Sequence, residues 1–284
     1  MTDLLQRFIF DTTDIRGELC RLEQSYQDCL AAHQYPKAVA NLLGEFMAAA
    51  ALLSATLKFE GTLTLQARSK GEIPLIMAEA SSEHKLRGIA RGADNASSSE
   101  FTTLLANSQL SITIDPKQGN RYQGIVPLDG NNLAQCLETY FQQSEQLSTR
   151  IWLHSNGQQA AGMMLQELPA SRTLDTEQRQ QNWQHMTKLA ETLSEEELLS
   201  LTFENLLYRL YHQEQVRLFE PDSLQFKCRC SRSRTLNALR TLGEEELQCI
   251  LAEQGVIDMN CEFCHQHYHF DNKDIQGLFQ QTLH

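Results

Sequence analysis

Four cysteines in the last quarter of the chain are the residues best placed to do chemistry. Cys228-Arg229-Cys230 forms a C-x-C, and Cys261-Glu262-Phe263-Cys264 forms a C-x-x-C about thirty residues further on. Two close pairs joined by a short folded segment can bring four thiolates to the corners of a tetrahedron. That geometry and that soft donor set suit zinc in a closed, structural site. Thiolates are also what peroxide and hypochlorite attack, so the same residues can serve as a redox trigger. A plain zinc staple and a redox sensor both fit these residues.

Other groups near the pairs compete for the same roles. His265, His267 and His269 follow Cys264 and can each ligate a metal. They alternate with Tyr268 and Phe270, so a strand that buries its aromatic face turns all three towards solvent. Lys227, Arg229, Arg232 and Arg234 crowd the first pair with no acid close by in sequence. Three readings apply: nucleic-acid contact, lowering of the thiol pKa values, or a solvated positive edge, and the last is favoured. Residues 227–284 hold six basic and eight acidic side chains, which disfavours nucleic acid. Cys20, Cys29 and Cys136 have no partner at ligand spacing and read as buried structural thiols, and Cys249 is given the same reading.

Motifs for catalysis are missing where they can be sought. No two of the 14 glycines lie two apart, which removes the dinucleotide fingerprint. No G-x-x-x-x-G-K-[ST], H-E-x-x-H or G-x-S-x-G occurs. A thioredoxin-like role would need Cys261 and Cys264 at a strand-to-helix turn of a βαβ sheet, whereas here the pair precedes a strand. The chain is expected not to be an enzyme.

The scaffold that must position the cysteines follows from composition and pattern. A chain of 284 residues, 41% hydrophobic and 21% charged, is long enough for two domains. A net charge of -12 argues against nucleic acid or an anionic membrane as main partner. No signal-like stretch opens the chain, and the longest uncharged apolar run, Phe46 to Leu57, is short for a bilayer. A cytoplasmic location and reduced cysteines are expected.

Residues 1–169 read as an α+β core. Strands are expected at Arg7–Phe10, Ile15–Leu22, Thr62–Ala67, Leu75–Ala78, Leu86–Ala90, Leu110–Ile114, Tyr122–Val126, Ile151–Leu153 and Ala161–Leu165. A helix from Pro36 to about Leu57 is apolar around most of its circumference and should be central and buried; a second runs from Leu133 to Gln143. Residues 170–226 hold ten acidic and five basic residues and only thin apolar seams, Trp183/Met186/Ala190/Leu193 and Phe203/Leu207/Leu210/Tyr211. Ser194 with Glu197 forms a capping box between them. Helices this weakly amphipathic depend on docking, so the segment reads as a helical linker, either an ordinary connector or a metastable element that folds or melts with its neighbours. Residues 227–284 form a small α+β unit with helices at Ser231–Leu242, Glu244–Glu253 and Asp274–Leu283 and a strand at Tyr268–Phe270. Structural zinc contributes an apparent ~10–16 kcal/mol, which exceeds or matches the ~5–15 kcal/mol of a whole domain, so a unit this small would unfold without its metal.

The runs Tyr208-Arg209-Leu210-Tyr211-His212, Phe226-Lys227-Cys228-Arg229-Cys230-Ser231-Arg232 and Asp258-Met259-Asn260-Cys261-Glu262-Phe263-Cys264 resemble the redox-regulated bacterial holdase chaperones, the heat-shock proteins of thirty-three kilodaltons. Thr56-Leu57-Lys58-Phe59, Arg87-Gly88-Ile89-Ala90-Arg91 and Arg121-Tyr122-Gln123-Gly124 extend the likeness across the chain. The resemblance implies one zinc per chain held by Cys228, Cys230, Cys261 and Cys264 in an inactive, reduced form. It implies that oxidation forms Cys228–Cys230 and Cys261–Cys264 disulfides, releases zinc, unfolds the linker and yields an ATP-independent holdase for unfolding clients, dimeric when active. The alternatives are a constitutive zinc-ribbon RNA-binding or adaptor protein, which would keep its metal under oxidant, and a thiol-disulfide oxidoreductase.

Overall fold

The structure, a computed structural model, describes residues 3–57, 60–169 and 175–280. Its chain divides into two compact units, Met1–Lys227 and Cys228–His284.

The first unit is built from two sheets with one helix between them. Its elements begin with β1 (Leu4–Phe10), β2 (Ile15–Leu22), α1 (Gln24–Leu30) and α2 (Lys37–Ala55). There follow β3 (Gly61–Arg68), β4 (Leu75–Ser81), β5 (Lys85–Arg91), the short α3 (Phe101–Leu104), β6 (Gln109–Pro116) and β7 (Tyr122–Pro127). Next come α4 (Leu133–Tyr140), running into a π-helical turn at Phe141–Glu145, then β8 (Thr149–Ser155) and β9 (Ala160–Glu167). One sheet has the order β7-β6-β3-β4-β5. The other runs β1-β2-β9-β8, and every pair among these strands is antiparallel. Every strand expected from sequence alternation is present, usually longer by one to three residues at its ends.

Helix α2 packs against β2, β8 and β9 on one side and β3, β4 and β5 on the other. Ala, Leu, Phe and Met therefore suit nearly its whole circumference, and Val39, Leu43, Phe46, Met47, Leu52 and Leu53 are all buried. By length and composition alone this helix would also cross a membrane, but its apolar surface is consumed by the two sheets.

The expected helical linker lies against the far face of the second sheet. Asp175 caps α5 (Thr176–Ala190), the Ser194/Glu197 capping box starts α6 (Glu195–Ser200), and Thr202 caps α7 (Phe203–Tyr211). Residues 170–174, where this segment begins, lie outside the described residues. Its buried side chains, Met186, Ala190, Leu198, Phe203, Leu206, Leu207, Leu210 and Tyr211, form a second core with Phe8, Phe10, Ile15, Leu19, Ala161, Met163 and Leu165. Strand β9 is thus buried on both faces, which explains its nearly unbroken run Ala160-Ala161-Gly162-Met163-Met164-Leu165. Past Tyr211 the structure departs from the helical expectation. β10 (Val216–Leu218) and β11 (Asp222–Ser223) pair with β1, and β12 (Gln225–Phe226) adds in parallel to β5. These strands are too short for alternation to reveal, and the edges of β1 and β5 impose them.

The second unit contains α8 (Arg232–Leu239), a 3-10 turn at Arg240–Leu242, α9 (Glu244–Gln254), β13 (Ile257–Asn260), β14 (His267–Phe270) and α10 (Asn272–Gln280). Leu283, the expected end of the last helix, lies outside the described residues. Among the described residues, Leu239, Leu247, Leu251, Ile257, Phe270, Ile275 and Leu278 make its buried core. A core of seven side chains is small for independent stability, so a staple is needed.

Candidate metal and redox centre

Strands β13 and β14 form an antiparallel hairpin, and its loop is the C-x-x-C. The loop is pinned by Cys261 N–H donating to Gln266 O at 2.9 Å and His265 N–H donating to Cys261 O at 2.7 Å. His265 takes a left-handed backbone, φ 54°, to turn the chain into β14. The C-x-C lies in extended chain that ends at Ser231, whose hydroxyl accepts from Arg234 N–H and caps α8. Cys230 thus stands immediately before the N-cap of α8.

These two segments converge. Cys228 Sγ lies 3.5 Å from Cys261 Sγ, and Cys230 Sγ lies 3.5 Å from Cys264 Sγ. All four sulfurs lie within 4.8 Å of one another. A tetrahedral metal with M–S bonds of about 2.3 Å has S···S edges of about 3.8 Å, so the donor set fits one metal ion. Donors converge on the sulfurs as well. The N–H of Cys230 faces Cys228, those of Phe263 and Cys264 face Cys261, and that of Gln266 faces Cys264. Tyr268 Oη donates to Cys230 Sγ at 3.1 Å.

The thiols respond unequally to this crowding. Burial, then the neighbouring thiols, pushes Cys228 and Cys264 above the ordinary thiol range. Burial also acts on Cys261, but the N–H groups of Cys264 and Phe263, together with the Cys228 and Cys264 thiols, outweigh it and leave its pKa below the usual value. Four sulfurs this close cannot all carry charge without a cation among them.

The histidines stand as alternation requires: His265, His267 and His269 are exposed, while Phe270 is buried and Tyr268 partly so. His269 Nδ1 pairs with Asp258 across the hairpin. Of the basic residues, Arg232 has an acid within reach after all. It bonds to Asp274 at 2.6 Å and His269 O at 2.7 Å, with its guanidinium 4.8 Å from the Phe270 ring centroid. Fold, not sequence proximity, supplies that partner.

Cys20, Cys29 and Cys136 are buried, as expected. Burial pushes the thiols of Cys20 and Cys29 up to about 12. Cys249 corrects the reading made above, because it is exposed. Helix α9 buries Leu247 and Leu251, four residues apart, and Cys249 between them is turned roughly 200° from Leu247. Sequence reading also missed Tyr268 as part of the site. Its alternation with the histidines marked it only as a core-facing aromatic, and the hydroxyl's target depends on how the C-x-C crosses the hairpin.

The fold and site together define an α+β protein with a docked helical segment and a small unit whose four thiols could hold a metal ion. The family description "Hsp33 protein" matches residues 3–271. A 33 kDa chaperonin of Pseudomonas aeruginosa (strain LESB58) is 53% identical over 285 residues, covering 98% of this chain and 95% of that protein. One of Azotobacter vinelandii is 54% identical over 280 residues, covering 98% and 94%. The crystal structure of the 33 kDa chaperonin (heat shock protein 33 homolog) from Thermotoga maritima superposes with a TM-score of 0.82 over 99% of both chains at 21% identity. The chain belongs to the Hsp33 chaperone family.

Proposed function

We propose that this chaperone is an ATP-independent holdase switched on by oxidation of Cys228, Cys230, Cys261 and Cys264. The observation that carries the reading is the convergence of four thiols in a unit whose own core is too small to hold it. When bound, zinc supplies a closed, redox-inert crosslink among four thiolates. Cys228 with Cys230, and Cys261 with Cys264, then each yield two electrons to a peroxide, which takes up two protons from solvent. One disulfide closes, and two waters form, for each peroxide consumed. Two such steps use up every ligand, and the unit 227–284 loses its staple.

The consequence for clients follows from the second core. Residues 170–226 act as a releasable linker over the core domain 1–169. Undocking α5, α6 and α7 would uncover Phe8, Phe10, Leu19, Met163 and Leu165, an apolar sheet face suited to unfolding proteins or to a second copy of the chain. Only residues 212–227 separate Tyr211 from Cys228, so loss of order in the thiol unit starts next to the segment to be released. The absence of nucleotide-binding motifs supports action without ATP, the acidic charge disfavours nucleic acid, and reduced resting thiols suit the cytoplasm.

Aggregation of chemically denatured citrate synthase, followed by light scattering, tests this. Reduced zinc-loaded protein should be nearly inert, and peroxide-treated protein should suppress scattering without nucleotide while a chromogenic chelator detects one zinc released per chain. Equal suppression by both forms would overturn the proposal.

A further inference from the structure

Two arginines fasten the helices α5–α7 to the second sheet, one near the start of α5 and one at the α6–α7 junction. Near the start of α5, Arg179 Nη1 bonds Asp14 Oδ2 at 2.7 Å. Its Nη2 reaches Glu167 Oε1 at 3.1 Å and Leu168 O at 2.8 Å. Asp14 lies in the β1–β2 turn with a side chain only 3% exposed, and Glu167 ends β9. One guanidinium therefore spans two neighbouring parts of the core.

At the α6–α7 junction, Arg21 of β2 donates Nη2 to Leu198 O at 2.8 Å and to Leu201 O. Those carbonyls close the last turn of α6, a helix of six residues with no intrahelical partners for its final acceptors. The same guanidinium sits 5.3 Å from the ring centroid of Phe203, the first residue of α7. Arg209 is different. It bonds Thr192 and Glu197, so both its partners would travel with the released segment.

We infer that Arg179 and Arg21 are positioning residues that set how readily α5–α7 leave the sheet, and with it the oxidant level at which the chaperone activates. The inference rests on the oxidation-activated reading given above. Helix α5 buries only Met186, Thr187 and Ala190 of its 15 residues, too narrow a stripe to fix it in place. Directional contacts at its start must do so. Lifting α5 strips Asp14 of its Arg179 partner inside an enclosed site, which is far costlier than parting two surface charges. Lifting α6 and α7 leaves the carbonyls of Leu198 and Leu201 without Arg21. The two fastenings therefore oppose release separately, and each can be removed without touching a cysteine.

The test uses the full chain, reduced and zinc-loaded, with Arg179→Gln, Arg21→Gln and Arg179→Lys. Hydrogen exchange should show α5 opening about tenfold or more often in Arg179→Gln and α6–α7 doing so in Arg21→Gln, with α2 unchanged. Zinc content should stay at one per chain, the peroxide dose for half-activation should fall, and Arg179→Lys should recover part of the loss by keeping one bond to Asp14. Wild-type protection and a wild-type activation dose in both glutamine variants would overturn the inference, as would loss of protection spread equally over α2. If the wild-type chain gains no activity on oxidation, the switch reading fails instead, and exchange at α5–α7 still decides the role of the arginines.

Discussion

The hydroxyl of Tyr268 donates to Cys230 Sγ at 3.1 Å, linking strand β14 to the C-x-C that it faces. That bond orients the sulfur, the part outer partners play around bound metals. The contact also pushes the Tyr268 phenol up to about 12, so it stays a donor throughout the neutral range.

Tyr268→Phe should therefore keep the fold and loosen the site. Zinc affinity is expected to fall by roughly 10–100-fold, the usual effect of losing an outer-shell partner. Competition against a chromogenic chelator measures it. An affinity equal to wild type would show that Cys230 needs no such donor.

Alkylation should sort the eight cysteines by environment. In the reduced, zinc-loaded chain Cys249 alone should react quickly with iodoacetamide, since it is exposed on α9. Cys20 and Cys29 are buried, donate to Ala48 O and Gly88 O, and hold their protons to about pH 12. Only thiolates react, so these two should label after global unfolding. Peptide mapping after peroxide should then find Cys228, Cys230, Cys261 and Cys264 protected as disulfides. Rapid labelling of Cys20 in the native chain would contradict this burial.

Glu45 gives the fold a pH dependence. It sits on α2, where burial and then the nearby Glu195 carboxylate raise its pKa to about 7, against an ordinary 4.5. Between those values the folded chain binds more protons than the unfolded one. Stability from this group is therefore greatest below about pH 4.5 and is lost as pH rises through 7. Glu45→Gln should raise the urea midpoint at pH 8, by roughly 1–3 kcal/mol in stability, and change little at pH 5. A stabilisation equal at both pH values would place the effect elsewhere than in titration.

Residues whose role is local were legible in the sequence, and those defined by meeting something distant were not. Alternation in Thr62–Ala67 and Leu110–Ile114 reports a half-buried strand, because each face meets a different medium. The all-round apolar surface of Val39–Leu53 reports a helix enclosed on every side. Ser194 and Glu197 announce a helix start because both halves of the capping box lie within four residues. Spacing likewise announced a four-thiol site, since the short C-x-C and C-x-x-C segments each keep two sulfurs close. Val216–Phe226 carried no such signal, as its conformation is set by the free edges of β1 and β5. The contacts of Tyr268 and Arg232 were not legible for the same reason: their partners lie 38 and 42 residues away.

A glycine in the core strand ties that distant packing to the releasable helices. Gly17 of β2 lies directly opposite Phe8 of β1, and the Phe8 ring covers it so closely that an added Cβ would fall 2.0 Å from Cζ. Phe8 belongs to the core shared with α7, its ring centroid 6.5 Å from that of Tyr211. Gly17→Ala must push the ring away from β2, into the space that Tyr211 and Phe10 fill. Overpacking of this kind costs about 1–3 kcal/mol. The strain falls on the face that α5–α7 cover rather than on the face that meets α2. The variant should therefore lose hydrogen-exchange protection over residues 175–211 and suppress client aggregation partly in its reduced, zinc-loaded form, while α2 keeps its protection. Wild-type exchange across α7 in a folded Gly17→Ala chain would mean that the ring finds room without disturbing the helices above it.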